Sequence, residues 1–90
     1  MLLSMMAFIM MNVEARRELN VVDKLFMLPE FKEVHSVHCI IDILVKIALT
    51  SDLLSSDAEV IGQFVYEKVR KIDGIISTQT LIPGTSKIKE

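Results

Sequence analysis

Residues 6–13 are apolar on both of the faces a strand presents. Met6, Phe8 and Met10 fall on one side, and Ala7, Ile9 and Met11 on the other. A strand of that kind belongs in the middle of a sheet with cover above and below. A second run, 42–49, repeats the pattern. Ile43, Val45, Ile47 and Leu49 share one face, and Leu44 and Ala48 lie on the other with Lys46 and Asp42 near its wet parts. The start of the chain lacks the basic leading region of a secretory leader, so 6–13 is expected to be a buried strand in preference to a targeting segment. It is also too short to span a bilayer, and Asn12, Glu14, Arg16 and Arg17 end it.

Two amphipathic helices are available to cover such a sheet. The first is expected over 16–28, with Leu19, Val22, Leu25, Phe26 and Leu28 buried and Pro29 as the stop. The second is expected to open on a capping box, Ser56 to Glu59, and to run to about 72. Its buried stripe is Ala58, Ile61, Val65, Val69 and Ile72, its solvent side carries the pair Glu67 and Lys71, and Gly74 takes a left-handed cap. A mixed-pattern strand over 32–39 suits a half-exposed edge. Only Ile40 and Ile41 separate it from the 42–49 strand, so a tight hairpin is expected. Neither is a usual turn residue, and such local conflicts mark sites. A polar loop, 50–56, carries Leu53 and Leu54, which are read as anchors of the loop or of a subunit contact. The last strand is 75–82, broken by Pro83 and Gly84.

The order is βαββαβ, and the two halves loosely echo each other. Right-handed crossovers place both helices on the same face of one four-stranded antiparallel sheet, the α+β ferredoxin-like fold. The opposite face has no cover in this chain. Half the residues are apolar (51%), with six Met and no Trp, more than a 90-residue monomer readily hides. Leaving that face in water would forfeit several kcal/mol at ~25 cal/mol per Å². A second copy is therefore expected to lay its sheet over the first, giving a dimeric α/β barrel.

Composition excludes several functions. The net charge is −2 and no basic run exceeds the pairs Arg16–Arg17 and Arg70–Lys71, so no direct nucleic-acid contact is expected. RNA binding on the open sheet needs exposed aromatics and basic residues, whereas the strands supply Met, Ile and Leu. A single cysteine, Cys39, forbids an internal disulfide and makes the cytoplasm the default compartment. His35, His38 and Cys39 do not make a metal site. On a strand only His35 and Cys39 share a face, and zinc needs three or four ligands. Cys39 has no evident base and electropositive setting to make it a nucleophile. No cofactor is implied. A small barrel enzyme with a cavity between helices and sheet would need an acid–base pair on helix-facing positions, and none is evident, so no enzyme activity is expected. An amino-acid-binding ACT domain shares the element order and differs in pairing its sheets side by side.

Residues 7–83 resemble the effector-binding RAM module of the Lrp/AsnC, or feast/famine, regulators. The resemblance is carried by Ala7-Phe8-Ile9-Met10-Met11-Asn12, by Phe31-Lys32-Glu33-Val34-His35-Ser36-Val37-His38, by Asp42-Ile43-Leu44-Val45-Lys46-Ile47, and by Val69-Arg70-Lys71-Ile72-Asp73-Gly74-Ile75-Ile76-Ser77-Thr78-Gln79-Thr80-Leu81. It implies a domain over 6–83 with a polar tail over 84–90. It also implies dimers joined through the sheet, further assembly to tetramers or octamers, and amino acids or related metabolites held in clefts between subunits. The family hairpin Gly-x-Tyr/Phe-Asp corresponds to Cys39-Ile40-Ile41-Asp42, with Cys39 in place of Gly, Ile41 in place of the aromatic and Asp42 retained. Cys39, Ile40, Ile41, Asp42, Thr78 and Thr80 are thus the implied effector-binding residues, with Asp42 meeting an α-amino group. The helix-turn-helix domain of full-length regulators has no room before residue 6. The expectation is a stand-alone module that competes for effector or mixes into oligomers with full-length regulators.

Overall fold

The computed structural model describes residues 3–51, 57–83, 87 and 89. Leu53, Leu54, the capping Ser56 and most of the 84–90 tail lie outside the described residues. The elements are β1 (Leu3–Val13), α1 (Glu18–Phe26), β2 (Phe31–Ser36), β3 (Ile43–Ser51), α2 (Asp57–Phe64) running on into a π-helical segment (Val65–Val69), and β4 (Ile75–Leu81). They form one four-stranded sheet in the order β2-β3-β1-β4, every neighbour antiparallel. This is the expected ferredoxin-like α+β arrangement, with the two doubly apolar strands in the centre.

The period-2 alternation of β1 and β3 fixes which side chains meet the helices. Ala7, Ile9, Met11, Ile43, Val45 and Ile47 form one buried cluster with Val21 and Leu25 of α1 and Ile61, Phe64, Val65 and Val69 of the second helical stretch. Phe31 and Phe64 close one end, their ring centroids 5.6 Å apart in a tilted pair. On the other side of the sheet Met6 faces Ala48, Phe8 faces Lys46 and Leu81, and Met10 faces Leu44 and Gln79. Met6, Phe8, Met10, Leu44 and Ala48 are half-buried there, and none of the described helices packs over them.

Several details differ from the sequence reading. In α1 the buried residues are Val21 and Leu25, while Leu19 and Phe26 are 77% and 67% exposed. The helix is turned so that Val21 packs beside Gly74, and Arg17 at its entry pairs with Glu14 (3.5 Å) and with Asp73 across the fold. In the second helical stretch Ala58 is exposed and Phe64 takes the core position. Glu67 accepts a hydrogen bond from Gln63 at 3.0 Å. Lys68 bonds Glu30 at 2.8 Å and holds that carboxyl below the usual glutamate range.

Both outer strands carry a bulge. In β2, Phe31 pairs with Ile47 and Glu33 with Lys46, which leaves Lys32 without a rung. In β4, Val13 pairs with Ile75 and Asn12 with Ser77, which leaves Ile76 without one. Ile75 therefore shares the helix-covered side with Thr78 and Thr80, not the side that strict alternation assigns it.

Candidate functional site

The tight hairpin expected at Ile40 and Ile41 is replaced by a wider loop. β2 ends at Ser36, and β3 begins at Ile43. The Val37 N–H donates to the Asp42 carbonyl at 2.9 Å and closes the loop at its base. This removes the local conflict, since neither isoleucine has to adopt a two-residue turn. Cys39 and Ile40 sit at the exposed tip, Ile40 at 90% exposure, and Ile41 is half-buried.

Asp42 ties this loop to β1 by two bonds. Its N–H donates to the Met11 carbonyl at 2.9 Å, and its Oδ2 accepts from the Val13 N–H at 3.0 Å. The carboxylate thus satisfies the backbone where the β1–β3 ladder stops. Asp42→Ala is expected to cost about 1–2 kcal/mol of stability, the usual range for losing a charge-assisted bond to a part-buried N–H. Urea unfolding measures this. An unchanged midpoint would mean that the carboxylate has no structural duty.

Thr78 pairs with Met11 and Thr80 with Ile9, both on the helix-covered side of β4. Thr78 is half-buried and Thr80 exposed, because β4 is the outer strand. Asp42 and Thr78 therefore flank the same stretch of β1 from opposite sides, roughly 10 Å apart at two strand spacings. The six residues implied by the resemblance do not share one cavity in the single chain. Thr78 alone of them lines a groove of about 320 Å³, whose other walls are Arg70, Ile75, Ile76 and Ser77. Those four lie outside the sequence-derived set. In the sequence Arg70 reads only as half of a short basic pair, and the bulge that turns Ile76 aside leaves no local signal.

His35 lies on β2 against Glu33 (3.0 Å), and Lys46 meets the other oxygen of Glu33 at 3.4 Å. The hydrogen bonds from His35 and then Lys46 lower the Glu33 pKa. His38 and Cys39 are in the loop beyond the strand. Among the described residues no three His, Cys, Asp or Glu side chains come together to hold a metal ion, and no helix is long and apolar enough to cross a membrane.

No family model matches the chain, and no curated protein does. Among solved structures the chain is similar to FFRP-DM1, at 35% identity over 88% of this chain and 97% of that one, with a TM-score of 0.72. It is also similar to hypothetical protein PHS023 from Pyrococcus horikoshii, at 33% identity over 96% of this chain and 93% of that one, TM-score 0.70. Two larger proteins share the fold at lower identity, and the chain spans about half the length of each. E. coli AsnC is 24% identical over 94% of this chain and 54% of its own, TM-score 0.80. The transcriptional regulator NMB0573 from Neisseria meningitidis, solved as a complex with L-Met, is 16% identical over 96% of this chain and 53% of its own, TM-score 0.72.

Proposed function

The chain belongs to the Lrp/AsnC, or feast/famine, family of regulators, and from that premise we propose that it is a non-catalytic module which self-associates through its open sheet face and senses an amino acid or related metabolite. The observation that carries the reading is the open face itself. Met6, Phe8, Met10, Leu44 and Ala48 form an apolar patch over the two central strands, crossed only by Lys46, which reaches Glu33 on β2 at 3.4 Å, and edged by Asn12, Ser77, Gln79, Glu33 and His35. An apolar centre with a polar rim is the anatomy of a specific protein interface. A sheet face of this kind fits a second copy of itself about a two-fold axis.

Effector binding is supported by the family and by the placement of polar groups at one end of the sheet. The exposed tip at Cys39 and Ile40 and the carboxylate of Asp42 stand on the β2–β3 loop, and the hydroxyls of Thr78 and Thr80 on β4. A neighbouring subunit placed against that end would complete a cleft between them. The NMB0573 complex with L-Met is the precedent on this fold. Assembly into tetramers or octamers, and mixing with full-length regulators, is how such a module in the cytoplasm would pass the signal on.

Light scattering with and without a panel of amino acids tests both halves. The chain is expected to run above monomer mass at micromolar concentration and to change mass with its effector. Phe8→Arg places a second cation opposite Lys46 on this face and is expected to weaken association by about 100-fold or more, as for buried like charges. A wild-type monomer indifferent to every amino acid would overturn the proposal.

A further inference from the structure

The groove between the end of the π-helical segment and β4 has a chemistry of its own. At about 320 Å³ it lies at the small end of ligand sites. Two departures from regular backbone meet there. The Arg70 N–H donates to the Val65 carbonyl at 2.9 Å and closes the wide π turn, so Arg70 is the first residue beyond it. On the facing wall the β4 bulge sets Ile76 apart, 65% exposed, between Ile75 and Ser77. π turns and bulges of this kind recur beside functional sites.

Arg70 is the one ionisable residue of the lining, and its side chain has no hydrogen-bond or ion-pair partner among the described residues. By contrast Arg17, Lys46 and Lys68 each face a carboxylate. A guanidinium offers a planar fork of N–H donors that matches a carboxylate. The Thr78 hydroxyl lies in the same groove. Ser77 borders the groove, but its Oγ accepts from Asn12 at 3.4 Å on the open face of the sheet, away from the Thr78 side. Ile75 and Ile76 border the groove, whose exposed surface is otherwise mostly polar, so it suits a ligand with only a short carbon skeleton. No acidic side chain lines the groove, so a ligand ammonium meets no counter-charge there. Asp42 stands across β1, with one oxygen already committed to the Val13 N–H.

We propose that this groove binds a small aliphatic carboxylate through Arg70 and recognises it without its α-amino group, so that a 2-oxo acid binds as tightly as the amino acid of the same skeleton. The inference rests on the reading of the chain as a ligand-binding module, and it assigns no role to Asp42.

The test is calorimetric and NMR titration of the full chain with L-leucine, 4-methyl-2-oxopentanoate and 3-methylbutylamine. Both acids are expected to bind with dissociation constants within about threefold of each other, and the amine at least about tenfold more weakly. Arg70→Gln is expected to weaken both acids by about tenfold or more while Arg70→Lys loses less, because the fork and not only the charge is used. Arg70 is exposed, so the amide spectrum of either variant is expected to show the fold intact. Lys24→Gln, an exposed charge on α1 outside the groove, is expected to leave both acids unchanged. Equal binding by wild type and Arg70→Gln, failure of the oxo acid where leucine binds, or no binding of either acid would overturn the inference. Leucine binding lost in Asp42→Asn but kept in Arg70→Gln would overturn the groove assignment and leave the proposed function standing.

Discussion

Ile9→Ala is expected to remove about 2–5 kcal/mol of folding stability, the range for truncating a fully buried isoleucine in a core that cannot collapse around the gap. Ile9 is 0% exposed and lies on β1 between Val45 of β3 and Thr80 of β4, beneath the helices. A chain of this size holds roughly 0.05–0.15 kcal/mol per residue, so the loss is a large fraction of the whole. Urea unfolding at fixed protein concentration reads it as a lower midpoint with an unchanged slope. A loss below about 0.5 kcal/mol would show that the core repacks freely. The adjacent Phe8 gives the contrast, because its side chain faces the open side. Phe8→Ala is expected to act on association, so two successive residues of one strand report on two separate surfaces.

Gly74→Ala is expected to destabilise the fold by about 2–4 kcal/mol, combining left-handed backbone strain with overpacking. Gly74 has φ +103°, a conformation that side chains rarely adopt. A Cβ there would stand 3.1 Å from Arg17 Cδ and 3.2 Å from Val21 Cγ2. The Gly74 carbonyl also accepts from the Glu14 N–H at 2.7 Å, so the backbone cannot swing away without breaking a bond between the two halves of the chain. Thermal unfolding checks this. A variant as stable as the wild type would mean that Arg17 and α1 shift aside at no cost.

The central pair of strands was legible because two-sided apolar runs leave no other place for β1 and β3. The positive φ of Gly74 was legible from the Asp-Gly pair, but its expected role as a helix cap was not met: the helix closes at Arg70, and Gly74 turns the chain into β4. The rotation of α1 was not legible. Apolar residues at 19, 21, 22, 25, 26, 27 and 28 surround most of that helix, and two stripes fit them equally well. The choice falls to contacts far along the chain, Val21 beside Gly74 and Arg17 with Asp73. The 39–42 segment failed as a tight hairpin for a related reason. Asp42 answers to Met11 and Val13 on another strand, and local turn chemistry cannot show that. Of the groove residues, the sequence marks Thr78 through the family resemblance. It does not mark Arg70, whose place beside the groove comes from a π turn and a bulge that carry no sequence mark.

The register slips in the two outer strands bear on how the protein grows in number. An incoming strand that extends a sheet needs a straight margin with one residue per rung. At Lys32 on one border and Ile76 on the other the count is off by one, and the margin twists. End-to-end ribbons of this chain are thereby discouraged on both flanks. If copies associate as proposed, they would stack broadside, which would yield closed, countable particles and not open fibres.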